Sequence, residues 1–249
     1  MFYFGTNTKQ QLDFEGHKDL VEIADDLAVI NKDSQLFVLP SMPFLIPMQS
    51  ICKSPLLWLG TQDVSEELEN NTTGEVSAKT LAELKVDLVM VGHAERRALG
   101  EKDKTLKNKL KNIAQNKLSV VFCVGEVEKS DVASRKKDLQ KQLAILKIFK
   151  FPNCLIAYEP VFAIGVNGIP AEPSYVGETF TIIKEILDEM GKSDFVLLYG
   201  GSVNFNNAYD LAKLKDCDGL FVGRSGWTKE GFRAVFEKGL SGYRAKTSN

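Results

Sequence analysis

The 249-residue sequence predicts a protein of the α/β class, with eight parallel strands closed into a single (βα)8 barrel. Three observations favour this fold. Short apolar segments rich in β-forming residues recur eight times, helical patterns lie between them, and no linker rich in Pro, Gly or Ser divides the chain. Such an alternation predicts parallel pairing through right-handed crossovers. Length alone also allows two smaller domains. The alternation of strands and helices is therefore what favours a single barrel domain that spans residues 1–249.

Several of the predicted strands are almost continuously apolar, which is typical of a parallel sheet covered by helices. In chain order they are Phe2–Gly5, Leu36–Leu39, Leu57–Gly60, Val86–Val91, Leu118–Val124, Cys154–Tyr158, Phe195–Leu198 and Gly219–Val222.

Helices are predicted where apolar residues recur at steps of three and four. The clearest such segments are Leu20–Ile30, Leu106–Ile113, Leu139–Leu146 and Val176–Met190. An open doubly wound sheet is the alternative architecture. It would usually carry a GxGxxG nucleotide-binding motif after the first strand, and this chain has no such motif there.

Composition excludes several classes of function. Lys and Arg total 31 against 33 for Asp and Glu, and no basic block is long enough to follow a nucleic acid. No apolar run reaches the roughly 18 residues of a membrane span, and the N-terminus lacks the pattern of a signal peptide. There are only two histidines and four widely spaced cysteines, Cys52, Cys123, Cys154 and Cys217. We therefore expect no metal and no cofactor, and we expect the protein to be located in the cytoplasm.

Polar residues directly after apolar strands are the candidates for chemistry, since active sites of such barrels lie at the carboxyl ends of the strands. Asn7 and Lys9 follow the first strand, His93 the fourth and Glu159 the sixth. A glutamate at the end of a buried strand is desolvated, which raises its pKa and makes it a useful base. The structural alternative for Glu159 is a salt bridge to an arginine.

Glycine-containing segments after the last three strands predict a lid and a phosphate site. The segment Val161–Gly168 is apolar and contains two glycines, as a closing lid requires. Gly200–Ser202 and Gly223–Gly226 follow the seventh and eighth strands, where barrels often bind phosphate through backbone N–H groups.

Together these residues resemble the motifs of the triosephosphate isomerase family, from residue 5 to about residue 224. The motifs that carry the resemblance are Asn7–Lys9, Gly92–Arg97, Cys123–Glu126, Tyr158–Gly165 and Tyr199–Val203, in the family's order and spacing. The resemblance implies an α/β TIM barrel that isomerises a small phosphorylated sugar.

The resemblance also implies roles for individual residues. Glu159 would remove a proton from the carbon beside the carbonyl, while a neutral His93 polarises that carbonyl and Lys9 stabilises the enediolate. Asn7 would orient His93 and the substrate, and Glu95 would hold Lys9 or the histidine loop in place. The phosphate would be bound by Gly165, Ser202, Gly223 and the backbone of Arg224.

A homodimer is expected on the same grounds, because the family inserts the loop after its third strand into the neighbouring subunit. Gln62–Glu75 matches that loop, with Thr73–Glu75 recognisable at its end. The middle of the loop, Asp63–Asn70, departs from the family pattern, which leaves the contacts of this interface open.

Further departures bear on the substrate. Ala94 stands where the family has Ser, and Phe162 where its lid has Trp. The lid ends in Gly168–Ala171, and the last phosphate turn is Gly223–Trp227. The last two features resemble a branch that interconverts L-erythrulose 1-phosphate and D-erythrulose 4-phosphate, with Arg224 and Trp227 shaping the site.

Two alternatives remain open. The two segments could reflect ordinary drift, with Arg224 pointing outward. In that case the chain would be a triosephosphate isomerase proper, acting on dihydroxyacetone phosphate and D-glyceraldehyde 3-phosphate. A more remote alternative is a phosphate-binding paralogue without catalytic activity.

Overall fold

The computed structural model describes residues 1–67, 71–165 and 168–247. In this part of the chain eight parallel strands form one closed barrel in sequence order, and the first strand pairs with the last. The strands are β1 Phe2–Asn7, β2 Ser34–Leu39, β3 Leu57–Thr61, β4 Leu88–Val91, β5 Ser119–Val124, β6 Cys154–Tyr158, β7 Val196–Tyr199 and β8 Gly219–Val222. The α/β barrel prediction is confirmed, and the open-sheet alternative is excluded.

Helices follow the strands and cover the outside of the barrel. They are α1 Phe14–Ile30, α2 Leu45–Ile51, α3 Ala78–Glu83, α4 Ala94–Ala98, α5 Asp103–Gln115, α6 Val132–Leu143, α7 Pro173–Glu189, α8 Ala208–Ala212 and α9 Lys229–Thr247. Within the described ranges, none of them combines the length and the apolar character needed to cross a membrane.

The predicted helical faces are the faces that pack against the barrel. Leu20, Leu106, Leu139 and Phe180 are each fully buried in the layer between the strands and the helices. A second, smaller core fills the interior of the barrel with inward-facing strand residues, as expected of this fold. Its buried members are Phe37, Leu39, Leu88, Met90, Val121, Cys123, Leu155, Ala157, Leu198 and Phe221.

Strand boundaries differ from the sequence prediction by at most two residues, most informatively at β4. The strand was predicted over Val86–Val91 but begins at Leu88. Val86 N donates to Leu81 O of α3 at 3.0 Å and not to a strand, while Asp87 bonds Leu59 through both its backbone N–H, at 3.0 Å, and its carboxylate, which accepts from Leu59 N at 2.9 Å. At the carboxyl end of β1, Asn7 is the last residue of the strand, whereas the sequence analysis placed it in the loop that follows.

All eight strands run in one direction, so their carboxyl ends meet at one rim of the barrel. That rim holds the side chains that the sequence singles out, and the loops that leave it give them their final positions.

Candidate active site

A cavity of about 340 Å³ opens at the carboxyl rim of the barrel. Loops that follow β1, β4, β6, β7 and β8 contribute to its wall. Of the nine residues predicted for the site, all but Glu95 line it: Asn7, Lys9, His93, Glu159, Gly165, Ser202, Gly223 and Arg224. The fold therefore brings together residues that lie more than 200 positions apart in the sequence.

Glu159 lies directly after β6 and is only 3% exposed. Its backbone N–H donates to Val124 O at 2.7 Å, which continues the strand pairing and fixes the start of the side chain. Burial raises the pKa of the Glu159 carboxyl, and the nearby His93 and Lys9 act in the opposite direction. A carboxylate with a raised pKa accepts a proton more readily than an exposed one. This environment suits a general base.

Gly200, directly after β7, leaves the space that the Glu159 side chain occupies. A Cβ atom at residue 200 would lie 2.7 Å from Glu159 Cγ and 2.9 Å from Glu159 Oε1. Both distances are shorter than van der Waals contact, so the base and a side chain at this position exclude each other. The glycine of the turn after β7 thus serves the base in addition to lining the cavity.

His93 caps the N-terminus of α4 and has a defined tautomer. Its Nδ1 accepts a hydrogen bond from Glu95 N at 3.2 Å, and a nitrogen that accepts from an amide carries no proton itself. The remaining proton of the neutral ring is therefore on Nε2. That atom lies 3.5 Å from Glu159 Oε2, so a proton donor and a proton acceptor face each other at the cavity.

Lys9 and Glu95 form an ion pair at the edge of the cavity. Lys9 Nζ contacts Glu95 Oε1, and the Glu95 side chain is half exposed. Glu95 thus touches Lys9 through its carboxylate and His93 through its backbone N–H, without lining the cavity itself. These contacts are the ones that a residue holding Lys9 and the histidine loop in place would make.

Asn7 is fixed from two sides. Its Oδ1 accepts from Lys9 N at 3.0 Å, and its Nδ2 donates to Met90 Sδ at 3.7 Å. Its backbone carbonyl accepts from Trp227 Nε1 at 2.9 Å. In this conformation the Asn7 carboxamide orients the Lys9 backbone, and its role in orienting His93 and the substrate remains an expectation from the family resemblance.

The far end of the cavity is built from backbone and small residues. Gly223 begins the turn after β8, and a Cβ atom there would meet no atom within 4 Å, so this glycine borders open space. Arg224 is exposed and lines the cavity beside it. Ser202 Oγ donates to Ala163 O at 2.7 Å, so this hydroxyl ties the β7 loop to the lid.

Two sequence predictions fall partly outside the described residues. Residues 166–167 of the predicted lid lie outside the described residues, whereas Gly165, with φ of 88°, and Gly168 are described. Residues 68–70 of the predicted dimer loop Gln62–Glu75 also lie outside them. At the start of this loop, Gln62 Nε2 donates to Lys9 O at 3.0 Å, so this end of the loop supports the Lys9 segment of the same chain.

Glu126 is an important residue to which the sequence patterns gave no role, although it closes one of the quoted motifs. It is 2% exposed. Its Oε1 accepts from Tyr158 OH at 2.8 Å and from Tyr175 OH at 2.7 Å, and its carbonyl accepts from Val161 N at 2.9 Å. The residues on both sides of Glu159-Pro160 are thus anchored to Glu126.

Comparisons with known proteins agree with this architecture. The family model described as triosephosphate isomerase matches residues 2–239. An L-erythrulose-1-phosphate isomerase of Rhizobium rhizogenes is 30% identical over 254 residues, which cover 99% of this chain and 97% of that protein. A second L-erythrulose-1-phosphate isomerase, from Rhizobium etli, is 35% identical over 82% of this chain and 79% of its own length. A triosephosphate isomerase of Neurospora crassa is 36% identical over 89% of this chain and 92% of its own.

Proposed function

The chain belongs to the triosephosphate isomerase family and isomerises a phosphosugar, and from that premise we propose that its substrate is a four-carbon ketose phosphate. The reaction is the interconversion of L-erythrulose 1-phosphate and D-erythrulose 4-phosphate. The carbonyl moves between the two central carbons of the substrate, and no bond of the carbon chain breaks.

The proposed roles follow the geometry of the cavity. Glu159 removes the proton from the carbon beside the carbonyl and returns it to the former carbonyl carbon. His93 Nε2–H hydrogen-bonds to the carbonyl oxygen, where negative charge develops, and exchanges a proton with the two oxygens of the enediolate. Lys9 supplies positive charge to that anion. Gly165, Ser202, Gly223 and the backbone of Arg224 bind the phosphate.

The turn after β8 carries the proposal for a four-carbon substrate. Arg224 and Trp227 both line the cavity that holds Glu159 and His93, and Pro170 of the lid end lines it as well. A four-carbon substrate has a hydroxymethyl group where the three-carbon substrate has hydrogen, so its site needs a different wall. The names of the two Rhizobium relatives support the same substrate.

The decisive experiment measures kcat/KM of the purified protein on both reactions. Turnover of L-erythrulose 1-phosphate at a higher kcat/KM than dihydroxyacetone phosphate supports the proposal. Efficient three-carbon turnover without four-carbon turnover would contradict it and identify a triosephosphate isomerase, the activity named for the Neurospora crassa relative.

A matched pair of variants tests the role of the β8 turn. Arg224→Ala should lower four-carbon kcat/KM by about tenfold, which corresponds to about 1.4 kcal/mol, and should change three-carbon turnover less. Arg233→Ala is the control, because Arg233 lies on α9, away from the cavity wall, and pairs with Glu237 at 3.7 Å. Equal effects of the two variants on both reactions would count against this role.

We also propose that residues 1–249 form a single domain. Two copies of this domain form a homodimer through the Gln62–Glu75 loop, and the protein is located in the cytoplasm. The described part of the loop packs on its own protomer, where Glu66 accepts hydrogen bonds from Thr105 and Asn108 of α5. The free thiols of all four cysteines suit a reducing compartment. Sedimentation velocity tests the dimer, and cell fractionation tests the location.

A further inference from the structure

Lys9 has a backbone conformation that its neighbours must maintain. Its φ is 52°, in the left-handed region that residues with a Cβ rarely adopt. Such a conformation is strained and persists only where surrounding contacts enforce it. The direction in which the Lys9 side chain enters the cavity depends on those contacts.

Two side chains from different segments bind the Lys9 carbonyl. Ser41 Oγ donates to Lys9 O at 2.5 Å, and Gln62 Nε2 donates to the same carbonyl at 3.0 Å. Next to Lys9, the hydroxyl of Thr8 accepts from Ser41 N at 3.1 Å and from Gln62 Nε2 at 3.2 Å. Thr8 Oγ1 is therefore the point where the segments after β1, β2 and β3 meet.

The remaining hydrogen bond of Thr8 goes to His17, a residue of α1 that is completely buried. His17 Nδ1 lies 2.7 Å from Asp13 O, and a carbonyl oxygen can only accept, so the ring proton is on Nδ1. His17 Nε2 is then the acceptor for the Thr8 hydroxyl at 2.9 Å, and it also accepts from Ser41 N at 3.3 Å, so Ser41 N is shared between Thr8 and His17. Burial lowers the pKa of His17, which keeps the ring neutral and preserves this tautomer.

We propose that His17 is a positioning residue for Lys9: by accepting the Thr8 hydroxyl, it fixes the junction that holds the Lys9 backbone in its left-handed conformation. With the Thr8 proton directed to His17, both lone pairs of Thr8 Oγ1 are free for Ser41 and Gln62, which also bind the Lys9 carbonyl. The inference rests on the proposed role of Lys9 in catalysis.

Two substitutions separate this role from simple packing. In His17→Asn the shorter amide can keep the donor to Asp13 O but loses the acceptor near Thr8. In His17→Gln the longer amide can place an oxygen near the position of Nε2 and keep that acceptor. We expect His17→Asn to lower kcat/KM on the better substrate by about tenfold or more, because a displaced catalytic group loses orientation. His17→Gln should retain most of the activity.

Two further variants complete the test. Thr8→Val removes the hydroxyl at nearly constant shape, and its effect on kcat/KM should not add to that of His17→Asn in the double variant. Val21→Ala is the control for a weakened α1, because Val21 is fully buried on the same helix. It should lower the melting temperature without lowering kcat/KM of the folded enzyme.

The outcomes are distinct. The proposal is overturned if His17→Asn keeps wild-type kcat and KM, if His17→Gln and His17→Asn lose activity equally, or if Val21→Ala loses as much activity as His17→Asn. Lys9→Met separates this inference from the proposed function. If Lys9→Met is inactive while folded His17→Asn is fully active, only the role of His17 fails; if Lys9→Met is fully active, the proposed role of Lys9 fails as well.

Discussion

The indole N–H of Trp227 donates to the backbone carbonyl of Asn7 at 2.9 Å, across 220 positions of sequence. This bond joins the turn after β8, at the proposed phosphate end of the cavity, to the last residue of β1, whose carboxamide binds Lys9 N. The two strands are neighbours only because the barrel closes between them. Closure of the barrel therefore links the proposed substrate-selecting turn to the segment that carries Lys9.

Trp227→Phe should test this link, because it keeps an aromatic ring in the cavity wall and removes only the N–H donor. We expect a decrease in kcat/KM of about fivefold, corresponding to the roughly 1 kcal/mol of one hydrogen bond. Steady-state kinetics on both ketose phosphates gives the measurement. Trp58→Phe is the control, since Trp58 packs near Tyr3 and does not line the cavity; an equal loss in this control would contradict the interpretation.

Gly200→Ala should disable the base while leaving the barrel folded. The added methyl group would lie 2.7 Å from Glu159 Cγ, so the carboxylate must move. Because loss of orientation is costly, we expect kcat to fall by about 10²-fold. Circular dichroism should show a folded protein.

The matched control is Gly177→Ala in α7, where the new Cβ would meet only Leu214 Cδ2, at 3.3 Å. Alanine is favoured over glycine inside a helix, so this variant should keep full activity and unfold at the same temperature or slightly higher. If both alanine variants stayed fully active, the proposed exclusion between a side chain at 200 and the base would be wrong.

Asn7, His93 and Glu159 line the same cavity, because each lies at the end of an apolar strand or directly after it, and a parallel barrel gathers the strand ends at one rim. Local patterns of strand and loop were enough to predict that these three positions meet, whereas Glu95 and Arg224 were named from the family resemblance.

Contacts that depend on side chains from separate elements were not predictable in this way. His17 falls on the buried face of α1, where its spacing is that of a core residue, and its partner Thr8 is known only once α1 has packed. In the same way, Tyr175 reaches Glu126 from a helix 49 residues later. The predicted start of β4 was wrong because Val86 N donates to Leu81 O of α3, and Leu59 N donates to the Asp87 carboxylate and not to a strand carbonyl.

Glu159→Gln should lower kcat by about 10²-fold or more, since the amide cannot accept the proton. It should also change how stability depends on pH. Burial raises the pKa of Glu159, so the folded protein binds this proton more tightly than the unfolded chain. The stabilisation by the protonated carboxyl is complete below the ordinary value of 4.5 and is lost as the pH rises through the folded pKa.

The uncharged glutamine avoids this loss, so Glu159→Gln should be more stable than the wild type at pH 7, with a difference that shrinks as the pH falls towards 4.5. Urea unfolding at a series of pH values provides the measurement. A stability difference that stays constant across this range would show that the carboxyl does not titrate with a raised pKa.

Tyr175→Phe should weaken the attachment of α7, the helix that follows the lid, to Glu126. The Tyr175 ring packs edge-on against Phe162 with centroids 5.9 Å apart, and the Arg135 guanidinium lies 3.8 Å from its centroid. Phenylalanine keeps these ring contacts but removes the donor to Glu126 Oε1, together with a long hydrogen bond of 3.4 Å that the hydroxyl accepts from Ser130 N. Glu126 Oε1 then retains the hydroxyl of Tyr158. We expect the free energy of unfolding to fall by about 1 kcal/mol, the usual contribution of such a bond.

Tyr209→Phe is the comparison for that loss, because the Tyr209 hydroxyl makes no hydrogen bond within the described part of the chain and its ring only stacks with Lys213 and Lys238. Its free energy of unfolding should change by less than half as much.

The Tyr175 hydroxyl also ties the helix after the lid to Glu126, whose carbonyl holds Val161 at the start of the lid. Tyr175→Phe should therefore lower kcat/KM about threefold, by the looser placement of Glu159, whereas Tyr209→Phe should not. Chemical denaturation and steady-state kinetics on the same preparations test both effects, and equal behaviour of the two phenylalanine variants would rule out an anchoring role for the Tyr175 hydroxyl.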